Sequence, residues 1–119
     1  MKNIPHHDGS DLYVSNSAPA IGDSITLKVR VPNDYLFEKA MLRIYHDGEP
    51  RIFEMKLNSK NEVEGWYQVK VQILNLQSSY RFAFMGHGKY EWLNARGLFD
   101  HDVHSNNDFQ IVAMPSNPE

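Results

Sequence analysis

The 119-residue sequence predicts an all-β chain, an antiparallel β-sandwich of seven to eight strands. Three observations carry that expectation. Apolar residues alternate with polar ones at period two through most of the apolar stretches, as half-buried strands require. Turn residues separate those stretches at roughly ten-residue spacing. No segment shows an unambiguous helical period.

The elements follow in order. Leu12–Val14 is a short strand candidate. Ser24–Val31 is the clearest strand: Ile25, Leu27, Val29 and Val31 share one face, while Ser24, Thr26, Lys28 and Arg30 share the other. In Leu36–Ile44 both periods fit, because Leu36, Phe37, Ala40, Met41 and Ile44 suit a helix whereas Leu42 and Ile44 against Arg43 and Tyr45 suit a strand. The stretch is short for a stable helix and its neighbours are strands, so Lys39–Tyr45 is read as a strand. His46-Asp47-Gly48-Glu49-Pro50 supplies the Asp-Gly of a tight hairpin. Arg51–Leu57 follows as a strand with Phe53, Met55 and Leu57 on one side, then a polar hairpin loop at Asn58–Glu64.

Gly65–Ile73 points Tyr67, Val69, Val71 and Ile73 inward and Trp66, Gln68, Lys70 and Gln72 outward. Ser79–Met85 places Tyr80, Phe82 and Phe84 on one face, and Gly86-His87-Gly88 turns the chain into the short candidate Lys89–Leu93. Asp108–Ala113 closes the fold through Phe109 and Ile111. The domain is therefore expected to span residues 1–113, with Met114–Glu119 and its two prolines reading as a linker.

Composition excludes several classes of function. A chain of 13.8 kDa has the mass of one domain and should bury about two-thirds of its unfolded surface. Its 14 aromatic residues (2 Trp, 6 Tyr, 6 Phe) and a net charge of only −3 are incompatible with a disordered chain. Twelve Lys and Arg, outnumbered by 15 Asp and Glu and forming no basic run, argue against nucleic acid as a partner. No apolar stretch approaches the roughly 20 residues of a membrane helix, so no membrane partner is expected. Residues Met1–Asp11 lack the apolar segment of a secretory signal, and the chain has no cysteine; a cytoplasmic location is the expectation.

The order of several motifs is informative together. His7-Asp8-Gly9-Ser10-Asp11-Leu12-Tyr13-Val14-Ser15-Asn16 runs through Ala18-Pro19 and Gly22-Asp23 into the first long strand. Met41-Leu42-Arg43 precedes His46-Asp47-Gly48-Glu49, followed by Tyr80-Arg81-Phe82, then Tyr90-Glu91-Trp92-Leu93-Asn94-Ala95-Arg96-Gly97-Leu98 and Asn107-Asp108-Phe109. This series, over about residues 6–113, resembles the N-terminal immunoglobulin-like, carbohydrate-binding-module-like domain of α-amylase-family enzymes. Those are the neopullulanase, cyclomaltodextrinase and maltodextrin glucosidase group. The resemblance implies a non-catalytic accessory domain of a maltodextrin- or starch-degrading glycoside hydrolase. Its implied partners are an α-glucan, the (β/α)₈ catalytic barrel of the same chain, and a dimer partner. Glycoside hydrolysis needs two carboxyl groups held across a sugar, which the barrel supplies in that group. The alternative is a free-standing immunoglobulin-like interaction module with no sugar site.

Sugar rings present apolar CH faces that stack on flat side chains. Trp66, on the polar face of its strand with Gln68 and Lys70, is the first candidate contact for carbohydrate or a partner. Tyr45, sharing a face with Arg43 before a hairpin, is the second. Tyr90 and Trp92 lie two apart on one face and are read first as core, with Trp92 retained as a contact candidate. No nucleophile elbow, phosphate-binding glycine loop or His-Glu-x-x-His motif is present, so no catalytic residue is assigned. His6-His7-Asp8 and Asp100-His101-Asp102-x-His104 invite zinc, and Asp8, Asp11, Asp100 and Asp102 are the oxygen donors a calcium ion would use. Turn and cap roles account for these residues more simply, and no cofactor is expected.

Overall fold

The computed structural model describes residues 4–114 except 17, 47–48, 87, 96 and 101–107. Nine antiparallel strands form two sheets, and no helix occurs among the described residues. The smaller sheet has the order β1 (Ser24–Pro32), β5 (Glu64–Gln72), β4 (Lys56–Lys60). The larger has the order β3 (Glu49–Glu54), β2 (Lys39–His46), β6 (Gln77–Gly86), β7 (Lys89–Asn94), β8 (Gly97–Phe99). The last strand, β9 (Phe109–Val112), pairs with the first half of β6, whose second half pairs with β7.

The alternation read from the sequence sets the core. Ile25, Leu27, Val29 and Val31 of β1 face Leu42 and Ile44 of β2 and Tyr80, Phe82 and Phe84 of β6 in one buried cluster. Each such fully buried side chain contributes roughly 1.5–3 kcal/mol. The N-terminal segment covers the free edge of β1. His6 and Val14 make bridges to Arg30 and Leu27, so Leu12–Val14 is part of a turn closed by the Ser10 carbonyl and not a strand.

Lys39–Tyr45 is extended, as β2, and it pairs with β3 from Met41↔Glu54 to His46↔Glu49. The hairpin is there; its Asp47-Gly48 lies outside the described residues. The expected strand Arg51–Leu57 divides at Met55. This residue is buried and donates its N–H to the Ala40 carbonyl (2.8 Å), and the chain passes from the larger sheet to the smaller. Leu57 is consequently on an exposed edge strand and not in the core. Asn58–Lys60 extend β4, which shortens the expected loop to a turn where the Asn61 side chain accepts the N–H groups of Val63 and Glu64. This division, together with the short β8, accounts for nine strands against the seven to eight expected.

Candidate functional site

The outer face of the larger sheet carries a row of flat side chains. On β2, Met41, Arg43 and Tyr45 alternate with the buried Ala40, Leu42 and Ile44. On β7, Tyr90 and Trp92 register with Met85 and Ala83 of β6, which places both rings on this face. The expectation that Trp92 is core is therefore corrected: Leu93, 3% exposed and opposite Phe82, takes the core position. A Tyr-x-Trp spacing shows that two rings share a face, and the register with β6 decides which one.

The Arg43 guanidinium lies 4.8 Å from the centre of the Trp92 ring and 5.8 Å from that of Tyr45. Tyr90 and Trp92 are nearly parallel, 22° apart with centroids 6.1 Å apart. Tyr45, Arg43, Trp92 and Tyr90 thus form a continuous row held by cation–π and ring stacking. Beside it Ala83 sits between Met41 and Trp92 in register, and its small side chain leaves a hollow of about 260 Å³. Ile52, 60% exposed on β3, and Met41 form the wall opposite the rings. Apart from the Arg43 head group, the side chains lining the hollow are predominantly apolar or aromatic.

A buried charge pair flanks the row on the same face. Arg43 and Arg81 stand directly opposite each other on β2 and β6, an unfavourable placing for like charges. Asp108 compensates: its carboxylate meets the Arg81 guanidinium at 2.7 Å, with both side chains fully buried. Arg81 also lies 5.8 Å from the centre of the Trp92 ring.

Trp66, Gln68 and Lys70 lie on β5 in the smaller sheet, so the structure separates them from Tyr45, Arg43 and Trp92, which it brings together. Trp66 is half-buried, stacks on Tyr13 with centroids 5.3 Å apart, and donates its indole N–H to Glu64 at 3.2 Å. Tyr13 is buried, and Trp66 covers it. Tyr90, expected in the core together with Trp92, is 47% exposed and completes the row.

The titratable residues of the N-terminus have structural roles. His7 is buried among Tyr13, Tyr80, Phe82 and Phe109. Its Nδ1–H donates to the Lys28 carbonyl at 2.7 Å, so Nε2 accepts from the Tyr80 hydroxyl at 2.8 Å. Burial pushes its pKa down to about 4, and the ring is neutral at pH 7. Asp8 accepts the Ser10 N–H at 3.0 Å, and hydrogen bonds from Ser10 hold its carboxyl below the usual range. Asp11 and Asp100 are exposed, and Asp102 lies outside the described residues. Among the described residues no three His, Asp or Glu side chains gather into a cation site.

Neither a family model nor a curated protein matches the sequence. Solved structures do match the fold. The chain is similar to a cyclomaltodextrinase, with TM-score 0.76 over 92% of its own length at 11% identity. It spans only 19% of that protein's length. It is also similar to the carbohydrate binding module of the muscle glycogen-targeting subunit of Protein Phosphatase-1, with TM-score 0.56 at 12% identity. That match covers 76% of this chain and 66% of the other. The likeness is one of fold.

Proposed function

We propose that this chain is a non-catalytic accessory domain of an α-amylase-family glycoside hydrolase, and that the hollow beside Trp92 takes a maltooligosaccharide or starch-like α-glucan. The observation that carries the reading is the row Tyr45–Arg43–Trp92–Tyr90 beside the Ala83 hollow. It offers aromatic faces and aliphatic carbon to a sugar's CH surface, and one fixed guanidinium to its hydroxyls. Such binding needs no metal or cofactor. An open sheet face buries little of a sugar, so weak affinity is expected.

The folds it resembles support the setting: one belongs to a cyclomaltodextrinase and the other is a carbohydrate binding module. In this reading residues 1–113 are the domain and 114–119 lead toward a (β/α)₈ barrel in a cytoplasmic enzyme. Faces not used for sugar dock on that barrel or on a dimer partner.

Isothermal titration of the domain with maltoheptaose tests the reading. Trp92→Ala is expected to weaken binding at least tenfold, about 1.4 kcal/mol, while Trp66→Ala leaves it unchanged. A silent titration with the parent domain, or the reverse ranking of the two variants, overturns it. A silent titration accompanied by capture of the separately expressed barrel assigns the row to docking instead.

A further inference from the structure

Tyr90 borders two cavities. One is the hollow of about 260 Å³ on the outer face. The other, about 590 Å³, lies around the sheet edge and is lined by Tyr35, Phe37, Phe84, Lys89, Tyr90 and Glu91, with Asp100 at its rim. The strand between them explains the connection. β8 pairs with β7 only from Trp92 onward, so Lys89–Glu91 has no strand beyond it among the described residues. Tyr90 lines both cavities and is the side chain they share.

The groove is built differently from the hollow. Tyr35, Phe37 and Phe84 pack on one another with centroids 5.5–5.7 Å apart and form an aromatic base. The Tyr35 hydroxyl donates to the Glu91 carboxylate at 2.5 Å, which fixes an acceptor over that base. Lys89 and Asp100 add an exposed cation and anion. An apolar base with a few placed polar groups, in a volume between roughly 300 and 1,000 Å³, is the usual construction of a small-molecule subsite. Two carboxylates against one ammonium disfavour an acidic ligand, and the mixture of acceptor, donor and ring suits a neutral polyol better than a purely apolar one.

We propose that one α-glucan chain occupies both cavities, passing over Tyr90 from the Trp92 hollow into the Tyr35–Glu91 groove, so that the groove is a second subsite for the same ligand. This rests on the reading of the hollow as a sugar site. The hollow takes a short oligosaccharide alone, and the groove is reached only by a longer one.

Titration with maltotriose and maltoheptaose, on the parent domain and on Lys89→Ala and Glu91→Gln, tests it. Lys89 is exposed at a hairpin, so its removal leaves the fold intact, and circular dichroism checks this for both variants. The parent is expected to bind maltoheptaose at least tenfold tighter than maltotriose. Both variants are expected to lose most of that gain while keeping the parent's affinity for maltotriose. Maltotriose binding with no gain on lengthening, or a gain that both variants retain, overturns the groove and leaves the hollow standing. Failure of the parent to bind either sugar overturns both.

Discussion

The Tyr80 hydroxyl donates a 2.8 Å hydrogen bond to Nε2 of His7, 73 residues away in sequence, and the pair joins the N-terminal segment to the centre of β6. The bond requires a neutral imidazole, since a protonated ring has no acceptor to offer. Burial disfavours the cation further, lowering the His7 pKa from 6.5 to about 4. The unfolded chain therefore binds a proton between those values that the folded chain refuses. Stability is fully present above pH 6.5, falls as pH drops toward 4 and levels below it. The gap corresponds to about 3 kcal/mol. Urea unfolding at pH 7 and pH 4.5 should show that decline, and His7→Phe should be less stable at pH 7 yet flatter across the window. An equally steep decline in the variant would assign the effect to other groups.

The Arg81–Asp108 pair is expected to be far more sensitive than its position on an outer face suggests. Removing one partner strands a fully buried charge, so Asp108→Asn should cost about 3–5 kcal/mol. Replacing both, as in Arg81→Met with Asp108→Leu, should cost less than either single change, because no uncompensated charge remains. Chemical denaturation of Asp108→Asn, of Arg81→Met and Asp108→Leu singly, and of the double variant checks the order. Additive losses in the double variant would show that the pair is not coupled.

Trp66→Ala should act on stability and not on ligand. Trp66 shields the buried Tyr13 ring, and its loss opens that ring to water at a cost of about 1–3 kcal/mol. The melting temperature should fall while maltoheptaose titration is unaltered. An unchanged melting temperature with lost binding would move the ligand to the smaller sheet, beside Gln68 and Lys70.

These residues show what was legible in the chain. Period-two alternation is a one-dimensional signal, and it located β1, β5 and β6 because each keeps one face in the core along its length. It could not show that Phe53, Met55 and Leu57, which alternate without a break, straddle two sheets. That depends on Met55 bonding to Ala40, a contact 15 residues distant. Nor does alternation reveal β8, whose three residues are too few for a pattern. The site was half visible for the same reason. Tyr45, Arg43 and Trp92 were candidates by residue type, but their convergence follows from the β2–β6–β7 register. Tyr35 carried a weak signal, an aromatic beside Phe37 in a polar turn, which gains meaning only when Glu91 meets it.

Gly86 offers a last test that joins the fold to the edge groove. The Asn33–Glu38 segment is drawn onto β6 by the Glu38 N–H, which donates to the Met85 carbonyl at 2.7 Å. At that approach a Cβ on Gly86 would lie 3.1 Å from the Phe37 Cα and 3.3 Å from the Glu38 nitrogen. Both are backbone atoms, so relief requires the segment to move as a whole. Gly86→Ala is therefore expected to cost about 1–3 kcal/mol and to displace Tyr35 and Phe37, which line the groove. Trp92 and Ala83 lie outside that contact, and maltotriose binding should persist. The gain in affinity from maltotriose to maltoheptaose should shrink. A variant of parental stability, measured by thermal unfolding, would show that the segment yields freely and that Gly86 does not hold it in place.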